Sequence, residues 1–236
     1  MSINLKTHEW AQKNKFPSFY YPDITSTNDV AKVEFPKLNE SFAVYIADHQ
    51  SQGRGRFDRS WQNLSAGEIL LSTWCFRWSQ PPQPVFPALV GLALYDTLNN
   101  LRPDLPLRLK APNDIYLDNG KMAGLLIEVS QQGNNCDVYI GLGMNVMDRP
   151  EIDIPTTALS HFIGIDDEKW HEFCVQLHLN FVEALVQGES SKINADYQDR
   201  LKLAINEGLP ESEQIEAVTE QCDLVTKTGQ ISWKDL

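Results

Sequence analysis

Asp114-Ile115-Tyr116-Leu117-Asp118-Asn119-Gly120-Lys121-Met122-Ala123-Gly124, running on to Val129, decides the fold of this chain. Two apolar segments, Asp114 to Leu117 and Met122 to Val129, flank Asp118-Asn119-Gly120. Asn-Gly favours the turn whose twist joins two antiparallel strands, so the stretch reads as a hairpin. Working outward, Leu107 to Lys110 reads as a short strand. Val138 to Val146 is another, broken by Gly141 and Gly143. Upstream, Phe42 to Ala47 and Glu68 to Trp78 are β-rich strands. Phe86, Leu89, Val90, Ala93, Leu94, Leu98 and Leu101 form one helical stripe at three- and four-residue steps. Trp170, Phe173, Cys174, Leu177, Phe181 and Leu185 form a second. Ile24 to Glu34 is a helix entry capped by Ser26 or Thr27, and Tyr197 and Leu201 mark a last helical turn or two. Strands joined by short turns and interspersed with helices predict an α+β fold. Its sheet is expected to be mixed and mainly antiparallel, with helices packed on one face.

The 236 residues suffice for one large domain with a small appendage. Residues 1–208 are read as the main domain. After Leu209 the chain turns polar and acidic, with two or three short strands between Ile215 and Trp233. This segment, 209–236, is too short to bury a core alone and is expected to lean on the main domain. The charge of −12 disfavours a general nucleic-acid surface, because such binding rests on phosphate neutralisation by Lys and Arg. No apolar run approaches a membrane span, and Met1 to Lys15 has no apolar signal core. Four scattered cysteines, none in a Cys-x-x-Cys pair, suit a reducing cytoplasm. The five histidines have no metal-ligand spacing; His49 alone adjoins a candidate loop.

That loop is Ser51-Gln52-Gly53-Arg54-Gly55-Arg56-Phe57. Glycines let a backbone approach a ligand, and Arg54 and Arg56 bring planar forks of donors suited to carboxylate and phosphate. It reads as an anion-holding loop, against the alternative of a solvated basic turn. Lys121, just past the Asn119-Gly120 turn, can aim its ammonium at a carboxylate or phosphate oxygen. Asn113 and Asp114 follow the rigid Pro112. Asp114 suits either a Mg²⁺ ligand beside phosphates or a general base on an attacking amine. Lys110 is a nucleotide contact or a strand-end charge.

Four segments stand in order: Ser26-Thr27-Asn28; Gln50 to Trp61 with its Gly-Arg-Gly-Arg; Lys110-Ala111-Pro112-Asn113-Asp114 followed by Lys121-Met122-Ala123-Gly124; and Gly141-Leu142-Gly143-Met144-Asn145-Val146. Together they resemble the catalytic domain of biotin protein ligases, across roughly residues 18 to 205. The resemblance implies a class II aminoacyl-tRNA synthetase-like fold. It implies ATP-dependent conversion of biotin to biotinyl-5'-AMP, then transfer to a lysine of a biotin carboxyl carrier domain. It places Ser26, Thr27, Asn28, Gln50, Gly53, Arg54, Lys121 and Gly124 on biotin. Arg56, Trp61, Lys110, Asn113 and Asn145 fall on the nucleotide, with Trp61 and Phe57 as covering bulk. Lys121, Arg54, Arg56 and Asp114 become the catalytic groups, ATP, Mg²⁺ and biotin the small-molecule partners. Joining two anions needs several cations and backbone donors, and a labile mixed anhydride needs water excluded.

The chain departs from the family at Ala111, where a Trp is usual, and in a C-terminal β segment shorter than the family's small barrel. About two dozen residues precede the first expected helix, too few for a winged helix-turn-helix, so no DNA partner is expected. Members of that family pair edge strands to dimerise or to dock the carrier, so the resemblance leaves a homodimer open, while the sequence itself shows no clear edge strand. The alternatives are a lipoate protein ligase, which shares the Lys-x-x-Gly lysine, and a biotin- or nucleotide-binding module without turnover.

Overall fold

Ile3–Lys13 is an α-helix, α1, that the sequence pattern hides. Its buried stripe is Ile3, Thr7, Trp10 and Ala11, with Asn4 beside it. Two of those five are polar, so the apolar period is diluted. Both are satisfied inside the protein. Asn4 donates to the carbonyl of Ile69 at 3.0 Å and accepts from the amide of Leu71 at 3.1 Å. Thr7 donates to Ile3 and accepts from the Trp170 indole at 3.0 Å. The structure, a computed structural model, describes residues 2–56, 61, 66–132 and 135–236. Phe57 lies outside them.

The described chain divides into two compact units, residues 1–81 with 120–174 and residues 82–119 with 175–236. In the first, five strands are β1 (Ser18–Ile24), β2 (Phe42–Gln50), β3 (Ile69–Trp78), β6 (Gly120–Gln132) and β7 (Asn135–Asn145), in the order β1-β2-β3-β7-β6. β1 runs parallel to β2; every other pair is antiparallel. The sheet is therefore mixed and mainly antiparallel, as the sequence predicts. Helix α2 (Thr27–Glu34) connects β1 to β2. Ile24, read from sequence as part of a helix entry, is the last residue of β1; the helix starts only after the Ser26 cap.

Cross-strand register sorts the side chains between the two faces of this sheet. Ala43, Tyr45, Cys75 and Tyr139 share one face and pack against Ala31 and Phe35 at the end of α2. Val44 and Trp74 share the other, where Trp74 meets the Trp10 ring of α1 at 5.3 Å. Helices thus cover both faces here, α2 one and α1 the other, where the sequence suggested a single covered face; the second cover is α1, whose apolar period is diluted by Asn4 and Thr7. Gly141 and Gly143 do not break β7, whose ladder to β3 runs without interruption from Cys136 to Asn145. Their role lies on the α2 face.

The second unit holds α3 (Phe86–Leu101), the antiparallel pair β4 (Leu107–Lys110) and β5 (Asp114–Leu117), and α5 (Ala195–Asn206). α5 has 12 residues, longer than the turn or two its two aromatic and aliphatic markers suggest. Helix α4 (Asp167–Gln187) runs from the first unit into the second. Between β5 and β6 the chain turns through Asp118 (φ 54) and Asn119, one residue earlier than the Asn-Gly centre expected from sequence, and Gly120, which needs no positive φ, opens β6. The last segment forms a small antiparallel sheet of β8 (Ala217–Val218), β9 (Leu224–Thr226) and β10 (Gly229–Ile231). It leans on α5: the Asn206 side chain bonds both the amide and the carbonyl of Ile215 at 2.9 Å.

Candidate functional site

The α2 face of the five-stranded sheet carries an uncommon row. Gly124 of β6 lies opposite Gly143 of β7, and Gly143 opposite Leu71 of β3. Two residues along, Leu126 lies opposite Gly141, and Gly141 opposite Thr73. Side chains alternate along a strand, so these positions all look toward α2. The glycines clear space that other residues fill. A Cβ at Gly141 would sit 2.4 Å from Asn28 Oδ1, and one at Gly143 would sit 2.4 Å from Cε2 of the Trp61 ring. The Gly-x-Gly of β7 is therefore a pair of seats, one for the first turn of α2 and one for an indole.

The first turn of α2 is fixed from several sides. Ser26 is the N-cap and accepts from the amide of Asp29 at 3.4 Å. Gln50, the last residue of β2, accepts on Oε1 from the Thr27 amide at 2.7 Å and the Thr27 hydroxyl at 3.0 Å. The single hydroxyl hydrogen of Thr73 has two acceptors in reach, Thr27 Oγ1 at 2.8 Å and Asn28 Oδ1. Asn28 donates to Glu128 Oε2 at 2.8 Å and to the carbonyl of Leu126 at 3.4 Å. Ser26, Thr27 and Asn28 are each 3% exposed. In this cluster the Thr27 hydroxyl, the Thr73 hydroxyl and the Asn28 amide already have acceptors inside the protein.

The loop after β2 closes on itself. The Trp61 amide donates to Gly53 O at 2.9 Å, and a Cβ at Gly53 would lie 3.0 Å from Trp61 O, so a side chain there crowds the returning chain. Lys121 enters from the other side. Its ammonium stands 5.4 Å from the Trp61 ring centroid, a cation–π distance. Its backbone is held independently: its amide donates to Pro155 O at 2.9 Å, and its carbonyl accepts from the Thr157 amide at 3.2 Å. Asn145, the end of β7 and 1% exposed, also donates to that carbonyl at 3.3 Å. Buried Asn145 Oδ1 and Trp61 Nε1 have no hydrogen-bond partner among the described residues. Such groups are costly unless something satisfies them, and both adjoin Lys121.

Arg54 is engaged with acids. Its Nη2 bonds Asp29 Oδ1 and lies 3.7 Å from Glu128 Oε2. Lys32 joins the same group, 2.8 Å from Glu128 Oε1 and 3.5 Å from Asp29. Burial raises the Glu128 carboxyl, but the hydrogen bonds from Lys32 and Asn28, with the charges of Lys32 and Arg54, outweigh it. The net effect holds Glu128 below its ordinary range. Arg56 is half-buried. His49 pairs with exposed Asp23 at 2.9 Å.

Sequence reasoning did not single out Thr73, Asp29 or Glu128. Glu128 was detectable: period two puts Gly124, Leu126 and Glu128 on one face, so a charge in that strand looks the same way as the site glycine. The structure brings Ser26, Thr27, Asn28, Gln50, Gly53, Arg54, Trp61, Lys121, Gly124 and Asn145 together in the first unit. Lys110, Asn113 and Asp114 form their own group in the second, around the β4–β5 connection. Lys110 lies opposite Asp114 and its Nζ reaches the Tyr116 hydroxyl at 3.3 Å. The Ala111–Pro112 peptide between them is cis.

Residues 20–145, more than half of the chain, match the family model described as the biotin/lipoate A/B protein ligase family. The chain belongs to that family. Within it, a biotin–[acetyl-CoA-carboxylase] ligase of Mycobacterium tuberculosis is 32% identical over 164 residues, covering 66% of this chain and 60% of the relative. The bifunctional ligase/repressor BirA of Escherichia coli is 33% identical over 128 residues, 53% of this chain and 39% of that protein. The chain thus spans less than two thirds of the length of these curated relatives. The biotin protein ligase of Aquifex aeolicus, solved in complex with biotin and ATP, superposes with a TM-score of 0.65 at 21% identity. That match covers 91% of this chain and 94% of the other. It establishes the shared ligase fold.

Proposed function

We propose that this ligase-family chain joins biotin to ATP as biotinyl-5'-AMP and then transfers biotin to a lysine of a biotin carboxyl carrier protein. One observation carries the reading: buried Trp61 Nε1 and Asn145 Oδ1 lack a partner among the described residues, the Trp61 ring stands 5.4 Å from the Lys121 ammonium and Asn145 Nδ2 bonds the Lys121 carbonyl, next to the Gly124–Gly143 pair of the sheet. An indole beside a few convergent polar groups suits a small amphipathic ligand. The relatives' names support biotin over lipoate within the family.

In the first step a biotin carboxylate oxygen attacks the α-phosphorus of ATP, the bond to the leaving pyrophosphate breaks, and a mixed anhydride forms. Lys121 is fixed through its backbone, so its ammonium stabilises charge as it develops without a reorganisation cost. The Trp61 indole covers the adenylate and limits attack by water. Gln50 and the Ser26-Thr27-Asn28 turn hold the ureido end. Arg54 and Arg56 neutralise the carboxylate and phosphate; for Arg54 this means exchanging Asp29 for the ligand. In the second step a neutral carrier lysine attacks the biotinyl carbonyl carbon, an amide forms and AMP leaves.

Lys110, Asn113 and Asp114 are assigned to the nucleotide. No group of three or more His, Cys, Asp or Glu side chains gathers among the described residues. The donors therefore fit magnesium carried on the ATP phosphates, with Asp114 supplying at most one carboxylate, and do not form a protein cage. Asp114 as base on the carrier lysine is the other role. Residues 1–208 serve as the catalytic domain and 209–236 as its β appendage. No described helix is long and apolar enough to cross a membrane, and all four cysteines are free and buried, in keeping with a cytoplasmic enzyme.

The test is pyrophosphate release by the purified chain with MgATP and either biotin or lipoate, followed by label transfer to a carrier domain. Release with biotin and transfer support the proposal. Release with lipoate alone moves the chain to the other branch of the family. Binding of biotin without release makes it a binding module.

A further inference from the structure

Glu128 lies outside the motifs that mark this site, yet three of the site's parts meet on it. Asn28 of α2 donates to its Oε2 at 2.8 Å, Lys32 of the same helix reaches its Oε1 at 2.8 Å, and Arg54 of the loop lies 3.7 Å from Oε2. A carboxylate beside a site for an anionic substrate opposes binding by direct charge. Its contribution must then come through what it holds.

What it holds is specific. Asn28 has two amide hydrogens, one directed to Glu128 and the other toward Leu126 O at the weaker distance of 3.4 Å. Without Glu128 the amide can rotate, and its Oδ1 leaves both Thr73 and the seat made by Gly141. Arg54 would keep Asp29 alone as its acid and swing with that exposed side chain, which is 41% exposed against 26% for Glu128. Glu128 sits on β6, the strand that also carries Lys121 and Gly124. It therefore ties α2 and the loop to the strand bearing the catalytic lysine.

We propose that Glu128 is a positioning residue that sets Asn28 and Arg54 for the biotin end of the site. The inference rests on the functional reading above. The experiment measures biotin and ATP affinities by calorimetry, with thermal melting, for the full chain and for Glu128→Ala, Glu128→Gln, Asn28→Ala and Asn28→Ala/Glu128→Ala. Loss of a charge-assisted hydrogen bond predicts a biotin affinity weakened about ten- to a hundred-fold in Glu128→Ala. ATP affinity should stay within about two-fold, because a general structural fault would lower both. Glu128→Gln still accepts from Asn28 but loses the cations, so it should fall between, and it carries the test if the alanine variant does not fold. In the Asn28→Ala background, Glu128→Ala should cost much less than alone, the mark of two residues acting as one.

Unchanged biotin affinity in both Glu128 variants, equal loss for biotin and ATP, or full additivity with Asn28→Ala overturns the role of Glu128. A wild-type chain that binds neither biotin nor lipoate overturns the functional reading itself, and the inference with it.

Discussion

Gly141→Ala should destabilise the protein by displacing Asn28. The added Cβ would lie 2.4 Å from Asn28 Oδ1, 3.0 Å from Cγ and 3.1 Å from Nδ2, where 3.4 Å is the start of ordinary contact. The amide must therefore retreat by about 1 Å. It has nowhere to go at low cost: Asn28 is 3% exposed and bonded to Glu128, Thr73 and Leu126. Losing one hydrogen bond to a charged group and one neutral bond costs about 2–4 kcal/mol. At about 2–4 °C per kcal/mol for a chain of this size, we take about 3 kcal/mol and expect a melting point lower by about 6–12 °C, with weakened biotin binding. Gly143→Ala is the control. Its Cβ would meet the Trp61 ring at 2.4–2.8 Å, but that ring is half-buried and stands 5.4 Å from the Lys121 ammonium. Losing that contact costs about 0.5–1 kcal/mol, so the melting point should move little while adenylate retention falls. Differential scanning calorimetry paired with calorimetric ligand titration separates the two. A Gly141→Ala protein that melts with wild type and binds biotin normally refutes the seating argument, as does an identical pair of melting shifts.

Lys121→Ala should leave the fold intact, since the backbone bonds to Pro155, Thr157 and Asn145 survive. It should cut pyrophosphate release by about 10²–10³, the usual cost of removing one transition-state charge contact; activity above a tenth of wild type would count against the role. Arg200→Ala removes the cation on Asp96, whose carboxyl is already raised by burial despite Arg200. Because that folded value lies above the unfolded one, the burial cost is present at neutral pH and disappears as pH falls below the unfolded value of 3.8. Urea midpoints should thus show a larger deficit for Arg200→Ala at pH 7 than at pH 3. Glu128 has the opposite sign. Its carboxyl is held below the ordinary 4.5, so its contribution is present above that pH and is lost as acid carries the protein through the folded value. Glu128→Gln should flatten that part of the stability–pH curve, and an unchanged slope would remove Glu128 from the account.

Local signals found what local physics fixes. α3 and α4 announce themselves by period, because one face of each must be apolar along its length, whereas β2 and β3 show as continuous β-rich apolar runs, because both their faces are buried. The turn into β6 is written in Asp118-Asn119-Gly120, where the backbone needs a positive φ that Asp118 supplies. The four polar motifs in their order carried the resemblance to the ligase family, which the family match over residues 20–145 bears out. α1 was not visible, because Asn4 and Thr7 occupy core positions and only distant partners on β3 and α4 make them acceptable there.

The sequence by itself determined most of the strands, the long helices, the antiparallel character of the sheet and the residues that carry charge. Tertiary structure alone decided what the glycines of β7 are for. In the chain they look like a strand break; in the sheet they face α2 and an indole, and the missing Cβ atoms are the space those groups occupy. It also decided that Arg54 shares carboxylates with Lys32, and that Glu128 joins α2 to β6. Contacts between residues far apart in the chain leave no local pattern, because they depend on register and face, which are set only when strands pair.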